Sequence, residues 1–103
     1  MDLGDFTIDV AKTLIGTKFD VALEDGGTTT LTLEEALPYE FRARRSKFKP
    51  KRESFSLHLV GDPAIVLPQG TYALRSEAAS FDEIFIVPVG RDDEATEYEA
   101  VFT

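Results

Sequence analysis

The chain of 103 residues has the length of one domain, residues 1–103, and can bury a core without disulfides or bound metal. Hydrophobic residues make up 43% of it, which excludes a disordered chain, and the lack of cysteine excludes thiolate chemistry. The formal net charge is −8, but residues 42–52 alone carry +7, so the remainder carries −8 − 7 = −15. This acidic body is expected to repel nucleic acid and anionic membranes.

The first element is a predicted helix over residues 7–15. Thr7 is a typical N-cap, Asp9 lies in the first turn where the helix dipole favours an acid, and Gly16 ends the helix. Spacing of three and four residues places an apolar stripe on one face, which is expected to contact the core. That stripe comprises Val10, Ala11, Leu14 and Ile15.

The apolar period then changes from helical spacing to two, which indicates strands. The run TKFDVAL is followed by the hairpin signal EDGGT and then by TTLTLEEAL, whose alternation is disturbed at Pro38. On alternating strands the adjacent acids Glu34 and Glu35 are expected to point to opposite faces. The inward side chains of these two strands are Phe19, Val21, Leu23, Leu31 and Leu33.

Four further runs complete a set of about six strands: SFSLHLV, GTYALRSE, EIFIVPV and EYEAVF. The third is apolar on both faces, which favours a central position, and Pro88 within it requires a bulge or an unpaired backbone. GDPAIVLPQG is expected to form a surface loop, and residues 92–94 a hairpin turn. In SFSLHLV, three residues face inward, Phe55, Leu57 and Leu59, and three face outward, Ser54, Ser56 and His58.

These elements predict a mostly β fold, a small antiparallel barrel or sandwich with one short N-terminal helix. The N-terminus MDLGDFTIDV lacks the basic and apolar regions of a signal peptide, and no apolar run approaches the roughly 20 residues of a membrane helix. We therefore expect a protein that is synthesised in the cytoplasm and has no membrane partner. A final location in an extracellular or phage-like assembly would need a route without a signal peptide.

Catalytic groups are scarce in the sequence. His58 is the single histidine, so a Ser-His-Asp site could form only around it, with Ser54 or Ser56 on the same strand face. That pattern is typical of the polar side of an amphipathic strand. The spaced acids of a calcium loop and the glycines and lysine of a phosphate loop are missing. We expect no enzyme activity, no cofactor and no metal site.

The most unusual feature is FRARRSKFKPKRE, residues 41–53, here called the basic segment. It is an exposed connection between two predicted strands, and three roles are open: nucleic-acid binding, an idle solvated loop, or contact with an acidic protein surface. We favour the third, because separate regions of opposite charge steer association. The expected contact residues are Phe41, Arg42, Arg44, Arg45, Lys47, Phe48, Lys49, Lys51 and Arg52.

The words LIGTKFDV, SFSLHLVGD, LPQGTYAL, IFIVPVGRD and YEAVF, in this order, resemble an uncharacterised family of small bacterial β-rich domains of unknown function. The resemblance covers nearly the whole chain and implies an association with phage-tail-like or tail-collar-like genes. It supplies no catalytic residues. The basic segment departs from the family pattern, in which the link between the corresponding strands is shorter and less charged.

We therefore expect a non-enzymatic structural or assembly module that binds other protein subunits, most simply as a homo-oligomer, and that could belong to a tail-like or filamentous appendage. Nucleic-acid binding through the basic segment is one alternative. The other is a small ligand bound inside the barrel, although small barrels usually fill their interiors with side chains. The side chains expected to line that interior are Phe19, Phe55, Tyr72, Phe85 and Phe102.

Overall fold

The computed structural model describes residues 6–38 and 54–102 as a closed antiparallel barrel with a short leading helix. The order around the barrel is β1-β2-β3-β6-β5-β4, so the predicted fold class is confirmed and the barrel is the correct alternative. None of the helices in the described part of the chain is long and apolar enough to cross a membrane. The elements are α1 (Ile8–Thr13), β1 (Lys18–Ala22), β2 (Thr28–Pro38), β3 (Phe55–Gly61), β4 (Gly70–Arg75), β5 (Ser80–Arg91) and β6 (Thr96–Phe102).

Helix α1 is shorter than predicted but has the expected cap. The Thr7 hydroxyl accepts a hydrogen bond from the Val10 N–H at 3.3 Å. The chain leaves the helix through Gly16, whose φ of +93° suits a residue without a Cβ atom. Because the helical spacing ends before Ile15, that side chain is 48% exposed, and its predicted place in the core is wrong. Ile8 is buried in the helix instead.

The β1–β2 hairpin forms at the predicted turn, where Gly26 adopts a φ of +90° and the Asp25 carboxylate accepts a hydrogen bond from the Gly27 N–H. The alternation of β2 breaks earlier than Pro38, at a bulge in its pairing with β3 between Leu33 and Glu35. The bulge changes the facing of the following residues. Both acids at positions 34 and 35 are consequently exposed, which corrects their predicted placement on opposite faces.

One prediction for the later strands also needs correction: Ser54 precedes β3 and is buried rather than outward.

Strand β5 is apolar on both faces and pairs with β4 on one side and β6 on the other, in agreement with its predicted central position. Its two faces differ in burial, since Phe85 is 46% exposed and Val89 is 54% exposed, whereas Ile84 and Ile86 face the core. Period-two alternation of an ordinary strand therefore continues through EIFIVPV.

Pro88 produces the expected irregularity. The register between β5 and β6 shifts between Pro88 and Gly90, which pair with Tyr98 and Glu97. Proline cannot donate to a ladder, so a bulge at this point accommodates it without breaking the barrel wall. This prediction is confirmed.

The barrel interior is filled by side chains. Phe6, which precedes the helix, is fully buried and packs edge-on against Phe55, Phe81 and Phe102 at centroid distances of 5.6, 4.9 and 5.2 Å. Of the five residues expected to line the interior, Phe19, Phe55 and Phe102 are buried and Tyr72 is half-buried. The fifth, Phe85, lies outside because it faces away from the core in β5.

The two ends of the barrel differ. At the end where β2 stops and β3 starts, here called the exit end, Phe6 closes the interior. At the opposite end, here called the loop end, lie residues 23–27, 62–69 and 92–95. Leu67 is buried there, and Ile65 packs against the core. Phe6 therefore covers the interior at the exit end, and Leu67 and Ile65 cover it at the loop end. The residues exposed on the surface also differ between the two ends.

Candidate protein-binding surface

The basic segment leaves from the exit end. Pro38 pairs with Phe55 in the β2–β3 ladder, so the chain departs and returns at neighbouring positions. Residues 39–53 lie outside the described residues, and the predicted contact residues are among them: Phe41, Arg42, Arg44, Arg45, Lys47, Phe48, Lys49, Lys51 and Arg52. The surface beside β2 and β3, the strands that flank the basic segment, lies within the described residues. It carries the first candidate site.

An exposed apolar row crosses the outer wall at the exit end. Leu37 pairs with Ser56, and Ser56 pairs with Val101 on the next strand. Paired strands lie about 4.8 Å apart, so Leu37 and Val101 lie on either side of Ser56 in one row, about 10 Å from each other. Leu37 is 49% exposed and Val101 is 42% exposed.

Phe85 extends this row onto β5. The register pair of β5 and β6 closest to the exit end is Val87 with Glu99, and Phe85 and Val101 each lie two residues beyond it toward that end. Phe85 was predicted to be internal, and its 46% exposure makes it the largest apolar side chain on the outer wall. We call Leu37, Val101 and Phe85 the outer apolar row. It lies immediately beside the strands from which the basic segment departs.

Carboxylates flank the outer apolar row. In the neighbouring register row, His58 pairs with Glu35 on one side and Glu99 on the other. The His58 Nε2 atom lies 3.9 Å from the Glu97 Oε1 atom, and the His58 side chain is 30% exposed. His58 is thus outward, as predicted, in an acidic setting. Among the described residues it has no hydrogen-bonded serine, and no cluster of three metal-ligating side chains occurs.

The loop end is strongly acidic. Its turns carry six exposed carboxylates, and the Arg91 guanidinium there donates a hydrogen bond to the carbonyl oxygen of Pro63 at 2.7 Å. Several of the acids also order their turns: Asp92 accepts hydrogen bonds from the backbone N–H groups of Ala95 and Glu94, which lower the pKa of its carboxyl. The six are Glu24, Asp25, Asp62, Asp92, Asp93 and Glu94.

The fold thus gathers the acidic turns at the loop end, whereas β2 and β3, the strands that flank the basic segment, meet at the exit end. The sequence contained the signals for the individual turns, such as EDGG and GDP and RDDE. It did not reveal that antiparallel connectivity places all three turns at one end.

A family model described as "Domain of unknown function (DUF6916)" matches residues 6–102. The chain belongs to this family. The match spans the leading helix and all strands of the barrel, which confirms the resemblance to an uncharacterised family of small domains. No curated protein and no solved structure matches the chain. The description of the DUF6916 family assigns no function. A functional proposal therefore rests on the surfaces described above.

Proposed function

We propose that this DUF6916 domain is a non-enzymatic assembly module that binds other protein subunits, most simply copies of itself, through its exit end. The observation that carries the proposal is the outer apolar row, which lies beside the departure point of the basic segment. Single exposed apolar residues are common on protein surfaces, but adjacent ones form a patch that water solvates poorly. Such a patch supports a contact surface.

The closed barrel favours binding through side chains. A sheet with free edges can add a strand from a partner, whereas a closed barrel has paired its strands around the circumference. In a side-chain interface, central apolar residues supply most of the affinity and peripheral charges set the association rate. Phe85 and Val101 suit the first role, and the arginines and lysines of the basic segment suit the second.

The alternatives have weaker support. A ligand inside the barrel would need space that buried rings such as Phe6 and Phe55 already occupy. Nucleic acid would meet the basic segment, but also the carboxylates of the outer wall and the loop end. A Ser-His-Asp site would need a serine near His58, whose close charged neighbour is Glu97. A more specific form of the assembly proposal is that the domain forms part of a tail-like or filamentous appendage.

The test is the association of the purified protein at two salt concentrations, measured by sedimentation or light scattering. We expect wild-type protein to self-associate, and added salt to weaken the association because it screens charges over about 8–10 Å. Reversal of Arg44, Arg45, Lys47 and Lys49 to Glu is expected to weaken association and remove its salt sensitivity. Circular dichroism should show an unchanged β spectrum for this variant.

A second pair of variants isolates the apolar contribution. Phe85→Ser together with Val101→Ser is expected to weaken association, while Val89→Ser, at a 54% exposed position outside the outer apolar row, is the matched control. A wild-type protein that stays monomeric at low salt contradicts the proposal. So does a charge-reversed protein that assembles as before, or tight nucleic-acid binding with a steep salt dependence.

A further inference from the structure

A cleft with an apolar floor opens at the loop end, where β1 and β4 diverge. These strands share one register pair in the described chain, Asp20 with Arg75. Beside this pair, a gap is bordered by the β1–β2 turn, the loop 62–69 and β4. The resulting cavity has a volume of about 300 Å³. That is the lower limit of the roughly 300–1,000 Å³ of small-molecule pockets, so the cleft fits one large side chain.

The cleft combines apolar walls with an acidic rim. Leu23, Val66 and Tyr72 provide the apolar surface, and Val66 is 45% exposed. The Tyr72 hydroxyl donates a hydrogen bond to the Pro68 carbonyl oxygen at 2.6 Å, which fixes the ring as one wall. Burial raises the pKa of Tyr72, and the negative charge of Glu24 raises it further.

This chemistry selects an aromatic side chain with cationic neighbours. Glu24 and Asp25 both line the cleft as exposed carboxylates, so a guest with positive charge is favoured over one without it. The basic segment contains such a guest, because Phe48 stands between Lys47 and Lys49. Phe41 is a poorer match, since it has Glu40 before it.

We propose that the cleft binds Phe48 from the basic segment of a second copy, with Lys47 and Lys49 contacting Glu24 and Asp25 at its rim. The inference rests on the proposed function and names the partner surface. The basic segment leaves one end of the barrel and the cleft lies at the other, so the contact is head-to-tail. A head-to-tail contact between identical chains uses two different surfaces and generates rings or open filaments.

A second copy is the occupant that the geometry favours. Residues 39–53 are anchored at both ends at the exit end, so their midpoint reaches at most about 25 Å from there when fully extended. The seven-residue strand β6 already spans about 23 Å along the wall. The segment would therefore need almost complete extension to reach the cleft of its own chain. It needs no such extension to reach the cleft of a neighbouring copy.

Complementation between two variants tests the inference. Val66→Lys blocks the cleft with a repelling charge but leaves the basic segment intact, and Phe48→Ser removes the guest but leaves the cleft intact. Each variant alone is expected to self-associate about tenfold more weakly than wild type, or worse. An equimolar mixture is expected to form heterodimers and nothing larger, because only one productive contact is possible. The masses are read by sedimentation velocity.

A matched control separates the effect of the cleft from that of added surface charge. Val89→Lys adds the same charge at an exposed position outside the cleft and is expected to assemble nearly as wild type. Thermal unfolding checks that all three variants are folded. If Val66→Lys associates as wild type while wild type assembles, the inference is wrong and the proposed function stands. A wild-type protein that is monomeric at every concentration overturns both.

Occupation of the cleft by the same chain's segment has a separate signature. In that case wild type is monomeric, yet Phe48→Ser shifts the NMR signals of Leu23, Val66 and Tyr72 in a concentration-independent manner. That result would overturn the head-to-tail contact. The expected result is that the wild-type signals of Leu23 and Tyr72 change with protein concentration, and that this dependence disappears in the Val66→Lys variant.

Discussion

The hydroxyl of Tyr98 accepts a hydrogen bond from the backbone N–H of Leu67 at 3.0 Å and donates one to the carbonyl oxygen of Ile65 at 3.3 Å. Tyr98 is 1% exposed. The buried Thr96 hydroxyl lies on the same strand, 3.1 Å from the carbonyl oxygen of Asp62 and 3.2 Å from that of Ile65. Two side chains of β6 therefore hold the loop 62–69 over the loop end and support one wall of the cleft.

Tyr98→Phe is expected to lower the free energy of unfolding by about 1–3 kcal/mol, because a buried N–H loses its acceptor. The matched control is Tyr72→Phe, which removes a hydroxyl whose hydrogen bond to Pro68 is exposed to water. We expect the control to cost less than about 1.5 kcal/mol. Urea unfolding of both variants measures the difference, and an equal loss would contradict the role given to Tyr98.

Phe6→Ala is expected to lower the free energy of unfolding by about 3–5 kcal/mol, although Phe6 belongs to no helix or strand. Its ring is fully buried among three other phenylalanines, so truncation leaves a cavity at the exit end. Phe85→Ala removes the same group from the outer wall, where the ring is 46% exposed. A similar loss for the two variants in thermal or denaturant unfolding would mean that Phe6 does not close the barrel.

His58→Ala is expected to change the free energy of unfolding by no more than about 0.5 kcal/mol. The side chain lies on the outer wall, and its contact with Glu97 is long and partly solvated. Association should also change little, because His58 lies outside both proposed contact surfaces. A loss of several kcal/mol, or of any activity discovered later, would reveal a role that the geometry does not indicate.

The Asp92 carboxylate is expected to make stability depend on pH. Hydrogen bonds from Ala95 and Glu94 lower its pKa in the folded protein. The stabilisation is therefore complete above the ordinary pKa of about 3.8 and is lost as the pH falls through the lower folded value. Asp92→Asn keeps an acceptor but cannot titrate, so its melting temperature should approach that of wild type at acid pH. Parallel melting curves that keep a constant offset would contradict this.

Much of the barrel could be predicted because its strands follow simple physical rules. Period-two alternation placed the inward residues of β1 and β3, and the missing N–H of Pro88 located a bulge. The bulge between Leu33 and Glu35 has no such signal, since neither residue is a proline or a glycine. It arises from the register that β2 must adopt against β3, which is a property of two strands together.

The candidate sites were harder to predict. Phe85 was assigned to the interior because aromatic residues usually face a core, yet its strand alternates and turns it outward. The cleft joins Leu23, Val66 and Tyr72, which are distant in sequence and meet only because β1 and β4 diverge. No local pattern contains that information. The basic segment could be identified from the sequence alone, because a cluster of lysines and arginines is recognised without knowledge of the fold.

The pairing of Pro38 with Phe55 has a consequence for how this chain can change. Since the ladder already holds both ends of residues 39–53, a change in their length changes the entropy of closing this loop. That cost grows with the logarithm of length, by about 0.6 kcal/mol for each doubling. Insertions and deletions between these two positions therefore carry a small loop-closure cost. The barrel can keep its architecture while this one connection acquires a different specificity in each descendant.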